Sequence, residues 1–218
     1  MPPQARETAM GLDYFIAENA KSARAELKRL GHKTPLRQIE ICAIPANPRT
    51  GDLDAMLQPL VQGRSAAVLS DAGCPGVADP GAALVRRAHE KGVPVVPLVG
   101  PSSVLLALMA SGLNGQHFSF HGYLPIREPA RSTTIGALER DSQLEARTQI
   151  FIEAPYRNEA LVDAILATCR APTLLCLATN LTLPGQQVAT KTVAVWRSLS
   201  RPEIARQPTV FLLSAESP

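Results

Sequence analysis

Ser70-Asp71-Ala72-Gly73-Cys74-Pro75-Gly76-Val77-Ala78-Asp79-Pro80-Gly81 is the stretch that decides how this chain is read. It follows an apolar run, Ala66-Ala67-Val68-Leu69, patterned as a buried strand over 66–70. It precedes Ala82-Ala83-Leu84-Val85-Arg86-Arg87-Ala88, patterned as a helix over 82–90. A long loop rich in Gly, Pro and Asp between a buried strand and a helix is where open α/β sheets bind ligands. Its glycines let backbone approach a ligand closely, and its aspartates accept hydrogen bonds or cap the next helix. An ordinary strand-to-helix connection is the competing reading, although such connections usually run about 2–6 residues.

The same alternation extends outward. Residues 5–20 show helical spacing, with Leu12, Phe15 and Ile16 on one stripe, and residues 20–30 continue as a helix ended by Gly31. Residues 39–44 and 93–99 read as buried strands, and Asp52 is placed to cap a helix reaching Leu60. Val104 to Met109 forms an apolar helix behind Gly100-Pro101-Ser102-Ser103. Alternating strands and helices over 36–110 imply a parallel sheet. Ser111 to Gln116 is the expected hinge, giving domains 1–115 and 116–218. Beyond it, strands are expected over 118–124, 149–153, 173–179, 188–196 and 209–213, and helices over 131–145 and 158–169. That pattern is an α+β domain with a mixed sheet.

Five loops follow apparent strands: 70–81, 100–103, 121–125, 153–157 and 179–182. If the halves face each other, these loops line one cofactor-sized cleft. No GxGxxG, Walker loop or HExxH occurs, so nicotinamide and nucleotide-triphosphate chemistry have no support. His32, His89, His117 and His121 lack metal-ligand spacing, and no metal is expected. His121 reads as structural or catalytic. Glu153, at a strand end, is either a solvated terminus or a carboxylate aimed at a ligand.

Of 218 residues, 45% are hydrophobic, enough for a sizeable core. Mean hydropathy is +0.03, and no apolar run approaches the ~20 residues of a membrane span. The first residues carry no signal-peptide pattern, so a cytosolic, membrane-free protein is expected. Cys42, Cys74, Cys169 and Cys176 form no CxxC pair. Cys169 and Cys176 read as core thiols. Cys74, in the ligand-like loop, reads as a loop thiol or a nucleophile. The net charge of +3 permits an anionic partner. Basic residues concentrate at Lys21, Arg24, Lys28, Arg29, His32, Lys33 and Arg37, as a solvated helix face or an RNA phosphate contact.

Taken in order, six segments resemble the tetrapyrrole methylase superfamily, the class III S-adenosylmethionine-dependent methyltransferases. The nearest branch methylates a ribose 2′-hydroxyl of small-subunit ribosomal RNA. The segments are Ser70 to Gly81, Val99-Gly100-Pro101-Ser102, Ala110-Ser111-Gly112-Leu113, Phe120-His121-Gly122-Tyr123-Leu124-Pro125, Glu153-Ala154-Pro155-Tyr156-Arg157 and, more loosely, Glu18-Asn19-Ala20-Lys21. The resemblance runs from Phe15 to Trp196. Family members open with a strand and a cofactor loop, whereas this chain opens on helix-patterned residues, which leaves a sheet edge to be covered. The family's Glu-Leu-Thr-Lys becomes Asn180-Leu181-Thr182-Leu183, and the Asp-Thr-Arg of its early motif is lost.

The resemblance implies two α/β domains with S-adenosylmethionine between them. Backbone at Asp71, Ala72, Gly73 and Val77 would hold its methionine part, with Ser102 and Ser103 on the other face. Tyr123, Glu153, Ala154 and Leu181 would close the site. Glu153 and Asp79 are the implied candidates for a general base, and Glu18, Lys21, Arg24 and Arg157 for substrate contacts. A homodimer acting on RNA is implied. Methylation of a small molecule or tetrapyrrole-like ring remains the alternative activity. A non-catalytic cofactor-binding scaffold is the alternative from another class.

Overall fold

Tyr14-Phe15-Ile16-Ala17 forms a strand rather than the middle of the helix expected over 5–20, and it organises the first half. The computed structural model describes residues 1–71, 73–78, 81–200 and 202–215. Helix α1 (Pro3–Met10) stops at Gly11, whose N–H bonds the Thr8 carbonyl. Strand β1 (Tyr14–Ala17) follows, buried along its whole length. A four-residue apolar run suits either period, and the helical stripe misled. Burial on both faces is the signature of a central parallel strand.

Helix α2 (Ala20–Leu30) is capped by the Asn19 side chain and ends at Gly31 in the left-handed region, φ 72°. Strand β2 (Glu40–Ala43), helix α3 (Thr50–Val61), strand β3 (Ala67–Leu69) and helix α4 (Ala82–Glu90) complete the first unit. Arg49, not Asp52, is the N-cap of α3, and the Asp52 carboxylate reaches back to the Arg49 N–H at 2.9 Å. The sheet order is β2-β1-β3, all parallel. Because side chains alternate, Phe15 packs with Leu27 and Ile39 on one face. Tyr14 and Ile16 pack with Leu53, Leu57 and Leu84 of α3 and α4 on the other.

One edge of this sheet is open. The Glu18 N–H donates to the Leu69 carbonyl at 3.1 Å, so Leu69 turns its backbone toward β1. Alternation then turns the Val68 N–H and C=O outward, where no strand pairs among the described residues. The strand expected over 93–99 does not form. Val96 and Val99 are each 76% exposed, and Pro94 and Pro97 remove two ladder donors.

The second unit begins at Ser103, since the chain divides into Met1–Ser102 and Ser103–Pro218. The division precedes the expected boundary at 115. The reason is helix α5 (Ser103–Ser111), whose Val104, Ala107 and Leu108 pack on the second unit's sheet. The expected hinge is a fastened turn: the Asn114 side chain accepts from the Gln116 N–H and donates to the Ala146 carbonyl. Then come β4 (Phe118–Tyr123), α6 (Ala130–Glu145), β5 (Thr148–Ile152), α7 (Asn158–Thr168), β6 (Leu174–Thr179), β7 (Gln187–Thr192), α8 (Val193–Ser198) and β8 (Thr209–Ser214). The strand expected over 188–196 stops at Thr192, whose hydroxyl caps α8. Trp196 thus lies on a helix, its indole N–H donating to the Leu175 carbonyl at 2.8 Å.

The sheet order is β4-β5-β8-β6-β7, parallel between β4 and β5 and antiparallel elsewhere. Ile150, Cys176, Val210 and Leu212 face α5. Phe151, Leu175, Phe211 and Leu213 face α6, α7 and α8, with Phe151 stacked on Phe211 at 5.8 Å. These pairings make β4, β5 and β6 run the same way, so their carboxyl ends share one end of the sheet.

Candidate active site

In the first unit the loop after β3 is braced from several sides. The Val77 N–H donates to the Cys74 carbonyl at 3.1 Å, and the Cys74 thiol lies 3.4 Å from the Pro101 carbonyl. The Asp71 N–H donates to the Glu18 carboxylate at 3.2 Å, tying the loop to the end of β1. Gly81 has φ 139°, and a Cβ there would meet the Gly76 nitrogen at 3.2 Å. Only glycine allows this fold-back. Asp71, Gly73 and Val77 are exposed on the braced loop. Ala72 and Asp79 lie outside the described residues, so one candidate base cannot be placed.

Helix α2 follows Glu18. It buries Ala23, Leu27 and Leu30 and turns Lys21, Arg24 and Lys28 to solvent. At 100° per residue those three cations span about 60° of the helix surface. Arg29 instead pairs with Glu26 at 2.7 Å.

In the second unit, Tyr123 ends β4 opposite Ile152 at the end of β5. Glu153 follows, with only 1% of its side chain exposed. Its Oε1 accepts from its neighbour's Ala154 N–H at 2.7 Å and from Arg157 Nη2 at 2.6 Å. Glu153 thereby holds the Arg157 guanidinium charged and raises its pKa above the usual arginine value. The Arg157 guanidinium carbon lies 4.9 Å from the centre of the Tyr156 ring. Ser103 is the exposed first residue of α5, and Leu181 packs on the sheet face that α5 covers. Asn180 and Thr182 both have positive φ, 52° and 65°. For a β-branched Thr that is an outlier of the kind that gathers at functional sites.

Each unit therefore gathers its own subset: Glu18, Asp71, Gly73 and Val77 in the first, and Tyr123, Glu153, Ala154 and Arg157 in the second. Ser102 stands at the end of the first unit. Reading of the sequence passed over Tyr156 and Asn158. Tyr156 is 71% exposed, and its sign was an aromatic in a strand-end loop of a chain with 4% aromatics. Asn158, fully buried, donates to the carbonyls of Ile204 and Gln207 and fastens the 204–209 segment to the start of α7.

His121 bonds the Gln149 side chain at 2.6 Å, which favours its structural reading. Cys169 and Cys176 are buried as expected. Burial pushes the Cys169 thiol up to about 12, too high for a thiolate nucleophile.

The model of the family Tetrapyrrole (Corrin/Porphyrin) Methylases matches residues 3–195. The chain belongs to the tetrapyrrole methylase family. Among curated relatives of this chain is the Ribosomal RNA small subunit methyltransferase I of Xylella fastidiosa, 35% identical over 75% of this chain and 57% of its own length. The protein of that name from Haemophilus influenzae is 30% identical over 87% of this chain and 64% of its own. That from Vibrio cholerae is 44% identical over 50% and 37%. The chain thus spans less than two thirds of the length of these relatives. In fold the chain resembles the methyltransferase CobJ, with TM-score 0.64, 18% identity, and 99% of this chain and 88% of that one covered. The cobalt precorrin-4 methyltransferase CbiF gives 0.61 at 13% identity, covering 98% and 88%.

Proposed function

We propose that this methylase transfers a methyl group from S-adenosylmethionine to RNA, at a ribose 2′-hydroxyl of small-subunit ribosomal RNA. The observation that carries the reading is the run of curated relatives bearing one rRNA-methyltransferase name, aligned over most of this chain. What supports the cofactor is the glycine-built loop, in which Gly81 folds back against the Gly76 backbone while Asp71, Gly73 and Val77 stay exposed.

When bound, S-adenosylmethionine supplies an electrophilic sulfonium methyl. The chain's own part would be to set the acceptor hydroxyl in line with that methyl and to provide a base for the hydroxyl proton. Positioning and exclusion of water supply most of the acceleration in such a transfer. Asp71, Ala72, Gly73, Val77, Ser102 and Ser103 would hold the cofactor, with Tyr123, Glu153, Ala154 and Leu181 from the second unit. Glu18, Lys21, Arg24 and Arg157 would meet the RNA. Glu153 already serves Arg157, so its part is to orient that cation, and Asp79 is the remaining candidate base. The exposed apolar residues Leu105 and Met109, one turn apart on α5, suit a homodimer. Free cysteines suit the cytoplasm. Among the described residues no helix is long and apolar enough to cross a membrane.

Calorimetric titration with S-adenosylmethionine and S-adenosylhomocysteine tests the cofactor, and methyl-³H transfer to RNA tests the acceptor. Micromolar binding abolished by Asp71→Arg, with label in RNA, supports the reading. Binding with label only in a tetrapyrrole would give the small-molecule reading, and binding without transfer a scaffold.

A further inference from the structure

The chain contains three tyrosines. Tyr14 is buried at 1% exposure, while Tyr123 and Tyr156 stand out at 59% and 71% on neighbouring strand ends. Exposed Tyr156 is nevertheless fixed in place. The Arg157 guanidinium lies over its ring, and Arg157 Nη1 donates to the Tyr156 hydroxyl at 2.5 Å. That guanidinium is in turn anchored by the buried Glu153 carboxylate at 2.6 Å. Among the described residues Arg157 Nε is shielded with no hydrogen-bond partner, and the hydrogen bonds that orient the guanidinium go to Glu153 and Tyr156.

One group can cover only one face of a ring. A tyrosine with one face under a cation and most of its surface in water presents the other face open. A side chain already pinned loses little rotamer entropy when something stacks on it. The surroundings speak against an enclosed small molecule, which would need burial over most of its surface. On the neighbouring strand end, Tyr123, Pro125, Ile126 and Arg127 line a shallow, open surface. An open aromatic face with the Arg157 guanidinium against its other side, and a shallow surface carrying Arg127 on the neighbouring strand end, suit an unstacked base and the strand leading from it.

We propose that the free face of Tyr156 is a stacking platform for one unpaired nucleobase of a single-stranded RNA, held at its angle by the Arg157–Glu153 pair. This rests on the RNA reading given under Proposed function. Tyr156 is a substrate-positioning residue, with no part in proton transfer.

The test measures binding of a dye-labelled single-stranded oligoribonucleotide by fluorescence anisotropy, with S-adenosylmethionine affinity measured beside it by calorimetry. Tyr156→Ala is expected to weaken RNA binding by about 5- to 150-fold, with cofactor affinity unchanged. Tyr156→Phe, which drops the hydroxyl and keeps the ring, is expected to stay within about threefold of wild type, because the ring supplies the stacking. The slope of log affinity against log salt should stay the same in both variants, since no charge is removed. Equal RNA affinity for Tyr156→Ala and wild type overturns the platform while leaving the RNA reading intact. Loss of cofactor binding with RNA binding unchanged also overturns it, assigning the ring to the cofactor instead. Failure of the wild-type chain to bind RNA at all overturns the parent reading, and the platform with it.

Discussion

Arg157 Nη2 donates to Glu153 Oε1 across 2.6 Å, and the carboxylate side of this pair is almost wholly shielded while the guanidinium is 22% exposed. Such a pair fixes geometry more than it adds stability, because the desolvation of the carboxylate offsets much of the attraction. Removing one partner is a different matter, since the other is left unmatched. Glu153→Ala strips Arg157 of its anchor and the Ala154 N–H of its acceptor. The expected loss is about 1–3 kcal/mol of folding stability, read from urea unfolding. Glu153→Gln keeps an acceptor at the same place and should lose less. An alanine variant as stable as wild type would show that the pair does not hold the strand end.

On the opposite side of the chain's chemistry, Asp54 in α3 receives Arg87 Nε and Nη2 at 2.7 and 2.9 Å and Lys91 Nζ at 3.0 Å. Chiefly through its hydrogen bonds to Arg87, and then Lys91, the carboxyl is held down to about 2 from an ordinary 3.8. The folded value lies below the unfolded one, so the clamp between α3 and α4 stabilises the fold above the unfolded value and is lost as pH falls toward the folded one. Asp54→Asn is therefore expected to melt earlier than wild type at pH 6. The gap should begin to narrow below about pH 4 and close near pH 2. Thermal melts across that range check it, and a gap that stays constant with pH would refute the assignment.

Val95 to Val99 are exposed, and among the described residues the outer edge of β3 pairs with no strand. This combination invites association between chains. Replacing Val96 and Val99, each 76% exposed, by lysine should raise the concentration at which the protein begins to aggregate. It should leave the melting temperature within about a degree, as expected for surface changes of under ~0.5 kcal/mol. Light scattering against concentration measures the first and calorimetry the second. Unfolding of the double variant would show that this segment packs more than its exposure indicates.

What could be read in the sequence was whatever depends on local punctuation. Gly31 closing α2, the strand–loop–helix around 66–90, and Cys169 and Cys176 as core thiols all follow from residue type and spacing. What could not be read depends on the neighbour a segment finds. Tyr14 to Ala17 and Val93 to Val99 are equally apolar. The first is enclosed between β2 and β3, while the second pairs with no strand among the described residues and leaves Val95 to Val99 exposed. Trp196 reads as strand by propensity, yet the Thr192 hydroxyl starts a helix there. Glu153 was legible as a strand-end carboxylate, but its commitment to an arginine four residues on needed the turn at Pro155 to be seen.

Lys21, Arg24 and Lys28 lie on one strip of α2, and among the described residues none has an ion-pair partner, unlike Arg29 beside Glu26. Unpaired cations so close together repel one another and gain when a polyanion takes up the strip. If RNA runs along it, each phosphate contact adds about 0.7 to the steepness of log affinity against log salt for a single strand. Changing all three to glutamine should flatten that slope by about 2 and weaken binding similarly for every RNA sequence tested. The helix itself should persist, because glutamine has comparable helix propensity and the buried face of Ala23, Leu27 and Leu30 is untouched. A triple variant with the wild-type slope would place the RNA elsewhere and return this strip to ordinary solvated surface. A flattened slope with Tyr156→Ala binding still weakened in the triple variant would show the strip and the ring acting as separate contacts, since only the former carries charge.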